Sequence, residues 1–177
     1  MTLAKPNPDE HIPYYSTYTN LVQGDVFSFM TVTHQALHAF VHGLSEAQAE
    51  ARPAPGEWSV KEVIGHLSDG ERLFSYRALR FARSDSTPLA SFDPDPYVLA
   101  GRFNGRALAD LWAEYDAVRA ATLALFHSFF DDVFLKRGVA SDNPISVRAL
   151  VYVTAGHEAH HLDSIRDVYL PFLQSAQ

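Results

Sequence analysis

The sequence contains no cysteine among its 177 residues. This absence excludes disulfide bonds, cysteine-ligated zinc and iron–sulfur clusters. No apolar run approaches the roughly 20 residues that a membrane-spanning helix needs. The N-terminal residues also lack the apolar segment of a secretory signal peptide. We therefore expect a soluble cytoplasmic protein without a membrane partner.

Positively charged residues are also scarce. There are 14 Lys and Arg against 21 Asp and Glu, which gives a formal net charge of −7. No cluster of Lys and Arg resembles the basic patch through which proteins bind nucleic acids. We therefore expect no nucleic-acid partner.

Several enzyme motifs are missing as well. The sequence has no Gly-x-Ser-x-Gly, no phosphate-binding Walker loop and no Gly-x-Gly-x-x-Gly. These absences argue against a serine nucleophile at a strand-to-helix turn and against the common nucleotide-binding loops. Any catalytic activity of the protein must therefore depend on residues outside these motifs.

Four long segments carry apolar residues at three- and four-residue spacing, which is typical of amphipathic helices. The predicted helices cover residues 14–42, 59–83, 107–130 and 146–170. Ser59 with Glu62 has the form of a capping box at the start of the second helix. Ser45 with Gln48 has the same form and predicts a short additional helical turn.

Prolines and glycines mark the segments between these helices. Residues 1–13 contain three prolines, so we expect an irregular N-terminal arm followed by a single domain over residues 14–177. Residues 84–105 contain three prolines and two glycines and are long enough to run the length of a bundle. Helices 2 and 3 can then be parallel, which predicts an all-α four-helix bundle in up-down-down-up order. No segment alternates with a period of two, so no sheet is expected.

The most distinctive stretch is Gly-His-Glu-Ala-His-His at positions 156–161. His157 and His161 are four residues apart, which places them on one face of a helix with Cβ atoms about 6 Å apart. Neutral imidazole is the commonest metal ligand in proteins, and a buried histidine pair is unfavourable without a partner for its ring nitrogens. The pair therefore predicts two metal ligands, and the alternative is two core histidines bonded to neighbouring groups.

The same stretch matches the His-Glu-x-x-His motif of zincin peptidases, in which the glutamate is the general base. Zincins normally take a third ligand from further along the chain, but no glutamate follows Glu158 and the longer metzincin signature is absent. A peptidase is therefore not favoured. Glu158 lies about 100° around the helix from His157. Glu158 is a candidate catalytic residue. The alternative is that its carboxylate is exposed or lies between helices and has no catalytic role.

His66, near the middle of the second helix, is the candidate third ligand. If helices 2 and 4 are neighbours, the three imidazoles His66, His157 and His161 converge. Three protein ligands leave coordination positions open, as in a catalytic zinc site. Zinc is the first candidate, and nickel or iron also suits an all-histidine site. The alternative is an empty site in which the histidines are structural.

A second ladder of histidines occupies positions 34, 38 and 42 of the first helix. By its four-residue spacing alone, this ladder is as good a candidate for metal binding as the pair His157 and His161. These positions lie to one side of the apolar stripe, so we expect a solvated face or the rim of a pocket. His160 is expected to point away from the line joining His157 and His161.

Two segments resemble signature motifs of the DinB-like superfamily. The first is PGEWSVKEVIGHLSD at positions 55–69, and the second is GHEAHH at positions 156–161. Within that superfamily the sequence is most similar to the bacillithiol S-transferase branch, and the resemblance covers roughly residues 20–170. It implies an up-down-down-up four-helix bundle, often a homodimer, with a divalent metal ion held by His66, His157 and His161.

The resemblance further implies transfer chemistry on a low-molecular-weight thiol, with a small molecule as the second substrate. Gly65 and Gly156 depart from the branch, which often has His and Trp at these positions. Neither departure touches the three predicted ligands. The leading hypothesis is therefore a metal-dependent, thiol S-transferase-like enzyme. The alternatives are a metal-dependent hydrolase and a metal-binding stress protein without catalytic activity.

Overall fold

Four helices of 16 to 23 residues pack side by side in the computed structural model, which describes residues 3–175. The helices, in chain order, are α1 Ser16–Thr19, α2 Val26–Val41, α3 Glu46–Glu50, α4 Val60–Ala82, α5 Pro94–Gly101, α6 Leu108–His127, α7 Val147–Ser164 and α8 Leu170–Ser175. Helices α2, α4, α6 and α7 form the bundle, and a π-helical turn, Ile165–Tyr169, joins α7 to α8. In the described part of the chain, no helix combines the length and apolar character needed to span a bilayer.

Serine side chains cap the N-terminal ends of two of the bundle helices. The backbone N–H of Glu62 donates to Ser59 Oγ at 3.2 Å, and Glu62 Oε2 accepts from the N–H of Ser59 at 2.8 Å. At the start of α7, Ser146 Oγ accepts from the N–H of Ala149 at 2.9 Å. These bonds satisfy N–H groups that have no partner inside the helix. They fix the first turns of the two helices that carry the predicted metal ligands.

Two apolar clusters, one at each end of the bundle, show the directions of the four helices. One cluster combines the N-terminal halves of α2 and α7 with the C-terminal halves of α4 and α6, and includes Met30, Leu150, Phe81 and Phe126. The other combines the opposite halves and includes Leu37, Leu162, Val60 and Leu111. Helices α2 and α7 therefore run one way and α4 and α6 the other. This confirms the predicted up-down-down-up bundle.

The prediction that no sheet would form is wrong. Strand β1, Arg137–Ala140, pairs antiparallel with strand β2, Asn143–Ser146. Ser141 and Asp142 form the turn, with φ angles of 52° and 60°. Each strand has only four residues, too few for a period-two pattern to stand out, and Pro144 removes one backbone donor.

The connection between α4 and α6 is a structured crossover, although residues 84–105 were predicted to be a loop. It contains α5, and Val98 of that helix is buried in the second apolar cluster. Before α5, the N–H of Leu89 donates to Val139 O, and Leu89 O accepts from the N–H of Ser141, both at 2.9 Å. The crossover is thereby attached to the β-hairpin.

The first predicted helix, over residues 14–42, is broken into α1 and α2. Gly24 adopts a φ of +67° in the break, and Asp25 Oδ2 accepts from the N–H of Ser28 at 2.9 Å to begin α2. Because of this break, α1 leaves the line of α2 and packs against α7. This displacement brings α1 to the candidate site.

The N-terminal arm packs against the start of α7. It contains two 3₁₀ turns, Pro8–Glu10 and Pro13–Tyr15. The carboxylate of Glu10 accepts from Ser146 Oγ at 2.7 Å and from Arg148 Nε at 3.0 Å. Burial raises the pKa of Glu10, but hydrogen bonds, chiefly from Arg148, outweigh it and lower the pKa to about 2.

Candidate metal centre

Three histidines meet between α4 and α7. His66 comes from α4, while His157 and His161 come from successive turns of α7, and one nitrogen of each lies within 4.8 Å of the others. The Nε2 atoms of His66 and His157 are 3.0 Å apart. The ring centroids of the three residues are separated by 4.8 to 5.0 Å. The antiparallel packing of α4 on α7 therefore brings together the three residues singled out in the sequence.

Gly70 makes room for the ring of His157. A Cβ at position 70 would lie 3.1 Å from Cε1 of His157, closer than an ordinary contact. Gly70 follows His66 by four residues and lies on the same face of α4. One turn further along, Phe74 meets the His157 ring edge-on, with centroids 5.4 Å apart. The surface of α4 thus fixes the position of the ring from α7.

Burial keeps the three imidazoles neutral. His66 and His157 are 6% and 5% exposed, and His161 is partly buried. Burial lowers the pKa of His66 to about 4 and holds the pKa values of His157 and His161 well below the usual 6.5, with neighbouring histidines adding to the effect. At neutral pH each ring is therefore in the form that binds metal ions.

Two aromatic side chains cover the histidines. The Trp58 ring lies 4.7 Å from that of His66 and is nearly parallel to that of His161 at 6.4 Å. Tyr18 of α1 meets His157 edge-on, with centroids 5.5 Å apart. Trp58 is partly buried and packs against the second apolar cluster. Its position directly before the Ser59 cap places it beside the first ligand.

Two glycines that depart from the S-transferase pattern both permit close packing. A Cβ at Gly156 would lie 2.1 Å from the carbonyl oxygen of Tyr18, so α1 can contact α7 only because position 156 is glycine. A Cβ at Gly65 would lie 2.4 Å from the ring of Phe103. A larger side chain at either position would displace a segment next to the predicted ligands.

A cavity of about 420 Å³ lies beside the three histidines. It is enclosed by the N-terminal arm with α1, by α4 and α7, by the crossover and by the tip of the β-hairpin. Six of its 15 lining residues are Tyr, Trp or Phe, namely Tyr14, Tyr15, Tyr18, Trp58, Phe74 and Phe92, and four more are histidines. His160, which was expected to point away, also reaches this cavity, and its ring lies 5.6 Å from that of Tyr18. The size and lining are those of a site for a small organic molecule.

Glu158 is not among the residues that line this cavity. Its carboxylate is fully buried and accepts hydrogen bonds from Thr33 Oγ1 at 2.7 Å, from Tyr115 at 2.8 Å and from Arg119 Nη1 at 3.0 Å. Nδ1 of His34 lies 3.1 Å from the same carboxylate. Burial raises the pKa of Glu158, but Arg119 and these hydrogen bonds lower it below its usual value. The sequence left open whether this carboxylate is exposed or lies between helices. The structure shows that it lies between helices.

The pair of Glu158 and Arg119 belongs to a charged layer in the bundle that the sequence analysis missed. Arg119 also donates to Glu71 at 2.7 to 3.1 Å, to the Tyr115 hydroxyl at 2.9 Å and to the Met30 carbonyl at 3.2 Å. A sequence signal for this layer does exist. Arg119 follows Tyr115 by four residues and so lies on the apolar stripe of its helix.

The second ladder of histidines does not reach the cavity. His38 and His42 are exposed, with ring centroids 3.8 Å apart. His34 is partly buried and bridges two carboxylates, Glu158 on one side and Asp116 at 2.8 Å on the other. The ladder therefore divides into an exposed pair and one residue of the charged layer.

Fold and site together define a four-helix bundle with a three-histidine group that could hold a metal ion. A sequence profile of the DinB superfamily matches residues 30–165, and the chain belongs to this superfamily. The matched range contains His66, His157 and His161. The resemblance to the superfamily seen in the two sequence motifs is thereby confirmed.

Solved structures that are similar to the protein include two four-helix bundle proteins. One is YfiT from Bacillus subtilis, described as a probable metal-dependent hydrolase with an unusual four-helix bundle topology. It matches with a TM-score of 0.74 and 14% identity over 95% of this chain and 93% of that chain. TT2238, described as a four-helix bundle protein, matches with a TM-score of 0.56 and 20% identity over 80% of this chain and 95% of that chain. At these identities the likeness establishes the fold. No curated protein is significantly similar in sequence.

Proposed function

We propose that the protein is a divalent-metal-dependent enzyme that acts on a small molecule, with His66, His157 and His161 as the metal ligands. One observation carries this proposal. Three neutral imidazoles, buried or partly buried, converge within 4.8 Å beside a cavity of about 420 Å³. Among residues 3–175, the only hydrogen bond of these rings joins His66 to His157. The other ring nitrogens are not among the fully buried atoms that lack a partner, so they keep some access to solvent and a cation can reach them.

The donor set fits a divalent transition metal. Three histidines leave coordination positions open, which is the usual arrangement of a catalytic zinc ion. Zinc is therefore our first candidate, and nickel and iron suit the same donors. When bound, such an ion supplies Lewis-acid chemistry and lowers the pKa of a water or thiol that it coordinates.

The surrounding residues position the ligands and shape the substrate site. Trp58 and Tyr18 cover the imidazoles, and Gly70 with Phe74 fixes the orientation of the His157 ring. Burial raises the pKa of Tyr18 above its usual 10, so its hydroxyl stays protonated and can donate a hydrogen bond to a substrate. The aromatic lining favours a substrate with an apolar or aromatic body.

A catalytic role for Glu158 stays a prediction. The four hydrogen-bonding groups around its carboxylate support a positioning role instead, in which Glu158 fixes α7 next to the ligand His157. These two roles differ in their consequences. A catalytic base should be needed for turnover, whereas a positioning residue should be needed for stability.

For the reaction we favour transfer of a low-molecular-weight thiol, as the resemblance to the bacillithiol S-transferase branch implies. In such a reaction the thiol sulfur forms a bond to an electrophilic carbon, the leaving group departs with its electron pair and the thiol proton is released. A hydrolase is the second candidate, supported by the likeness in fold to YfiT. A homodimer and a cytoplasmic location stay predictions that accompany this proposal.

The experiment compares thiol-dependent and thiol-independent activity of the zinc-loaded protein. Conjugation of thiols to 1-chloro-2,4-dinitrobenzene is followed by absorbance, and hydrolysis of p-nitrophenyl acetate is followed without a thiol. His161→Ala removes a ligand, and His127→Ala is the control because His127 is exposed and outside the cavity.

Each result selects one of the three hypotheses. Thiol-dependent turnover that His161→Ala abolishes and His127→Ala preserves supports the transferase. Thiol-independent turnover with the same dependence supports the hydrolase. A folded, zinc-loaded protein that is inert toward a broad panel of thiols and electrophiles would instead indicate a metal-binding protein without catalytic activity.

A further inference from the structure

Arg77 is a buried cation in the lining of the cavity beside the three histidines. Its side chain is only 3% exposed. Nη2 donates to the carbonyl of Ala90 at 2.8 Å and to Ser141 Oγ at 3.1 Å, and the guanidinium lies 5.9 Å from the centroid of the Phe92 ring. None of these groups is charged. Within residues 3–175, no carboxylate forms an ion pair with Arg77.

The other buried cations of the described chain are paired with acids. Lys61 contacts Glu46 at 2.6 Å and Glu50 at 2.7 Å. Arg119 contacts Glu71 at 2.7 Å and Glu158 at 3.0 Å. Burial of a charge is unfavourable unless an opposite charge compensates it. Arg77 therefore differs from Lys61 and Arg119 in having a charge that the described chain does not neutralise.

The guanidinium also retains unused donors. Its Nε and Nη1 form no hydrogen bond within the described residues, and neither belongs to the fully buried atoms that lack a partner. They therefore keep some access to solvent. Three N–H groups, one on Nε and two on Nη1, can donate to a ligand that enters from the cavity.

The cavity as a whole favours an anion. Its lining contains no Asp or Glu, although the chain has 21 acidic residues and a net charge of −7. The ionisable groups in the lining are Arg77, the four histidines at positions 66, 157, 160 and 161, and three tyrosines. An acid-free cavity with one buried cation attracts negatively charged ligands.

We infer that Arg77 binds a carboxylate group of the substrate, and this inference rests on the proposed function because it places the reacting atom at the three histidines. Gly70, which contacts His157, precedes Arg77 by seven residues, or about 10 Å along α4. Arg77, Phe74 and the three histidines line the same cavity, so a ligand of moderate length can contact the guanidinium and the histidines together. The body of the substrate then lies against the aromatic lining between Arg77 and the three histidines. A single guanidinium matches the single charge of a carboxylate.

The experiment measures binding of 4-phenylbutyrate and of its neutral amide by calorimetry. Both compounds have the same aromatic body, and only one is an anion. Wild type is measured with zinc and after chelator treatment. Arg77→Met removes the charge, and Arg83→Met is the matched control, since Arg83 is an exposed arginine at the end of the same helix and outside the cavity.

We expect wild type and Arg83→Met to bind the butyrate about tenfold or more tightly than the amide, because a hydrogen-bonded charge is worth about 1.5–3 kcal/mol. Arg77→Met should bind both compounds equally. If Arg77→Met does not fold, Arg77→Gln takes its place, because it removes the charge and keeps a polar group that can donate hydrogen bonds. Equal binding of both compounds by wild type, or no measurable binding of the butyrate, would overturn the inference.

Two further outcomes separate this inference from the proposed function. A preference for the butyrate that persists in Arg77→Met and disappears after chelation would mean that the metal binds the carboxylate. The inference about Arg77 would then be wrong, and the proposed metal site would be supported. A preference that depends on Arg77 in a protein that never binds zinc would support the inference and contradict the proposed metal centre.

Discussion

The Nε2 atoms of His66 and His157 lie 3.0 Å apart, although 91 residues separate them in the sequence. Two capped helices that pack antiparallel produce this contact. Its geometry depends on the spacing between α4 and α7 and on the segments that press on them. Changes at those packing contacts should therefore alter the site even where no ligand is touched.

The contact between Gly156 and α1 provides the first test. In Gly156→Ala the new Cβ would meet the Tyr18 carbonyl at 2.1 Å, so α1 must move away from α7. We expect a loss of about 1–3 kcal/mol in the free energy of unfolding, as for other overpacked positions. Urea denaturation measures this loss. Gly105→Ala is the control, because nothing lies within 4 Å of its new Cβ, and it should stay within about 0.5 kcal/mol of wild type. Equal stability of the two variants would show that α1 does not pack on Gly156.

The charged layer provides a second test, which also bears on the role of Glu158. Glu158→Ala leaves Arg119 buried with one carboxylate fewer, and breaking a buried ion pair typically costs about 3–5 kcal/mol. Asp163→Ala, on the exposed side of α7, should cost less than about 1 kcal/mol, because its contact with Arg166 at 3.5 Å is on the surface. Both values come from denaturant unfolding.

Turnover of a second variant separates positioning from catalysis. Glu158→Gln keeps the shape of the side chain and some of its hydrogen bonds. If this variant folds and binds zinc but has lost all activity toward a substrate of the wild type, a catalytic role is favoured. If it is less stable yet active, Glu158 is a positioning residue.

The buried imidazoles predict how stability depends on pH in the metal-free protein. His66 takes up a proton near pH 6.5 when unfolded but only near pH 4 when folded. Between these values the unfolded state binds more protons, so the free energy of unfolding falls as the pH is lowered from 6.5 toward 4. His157 and His161 act in the same direction, since their pKa values are also lowered.

Urea denaturation of chelator-treated protein across this window measures the effect. His66→Gln should show a shallower loss of stability than wild type. Glu10→Gln should not change the slope above about pH 5.5, because the carboxyl of the unfolded state, with a pKa of 4.5, takes up few protons there and the folded-state pKa is about 2. An identical slope in wild type and His66→Gln would contradict the neutral, buried state of this ring.

The sequence predicted the bundle and the pair His157 and His161 because both depend on regular spacing, whereas His66 was predicted from its place near the middle of the second helix and from the family resemblance. Helical periodicity and the Ser59 capping box located the helices, and the four-residue spacing of His157 and His161 located one face. The β-hairpin escaped prediction because its strands are too short to show a period. The break between α1 and α2, before Asp25, was not predicted because the apolar spacing continues across it.

The roles of Gly156 and Arg77 could not be predicted for a different reason. Each depends on a contact between segments distant in sequence: Gly156 meets α1, and Arg77 meets the crossover and the hairpin tip. Periodicity shows that a residue faces the interior but not what it meets there. Arg77 stands between Phe74 and Phe81 on an apolar stripe, and this position of a charge is the only local sign that it has a function.

We propose that one divalent cation binds where α4 meets α7. The most direct test is a crystal structure of the zinc-loaded protein with diffraction data collected on both sides of the zinc absorption edge. We expect one anomalous peak for each chain, about 2.0–2.1 Å from one nitrogen of His66, His157 and His161. No peak at this position in zinc-loaded crystals, or a peak at His38 and His42 alone, would contradict it.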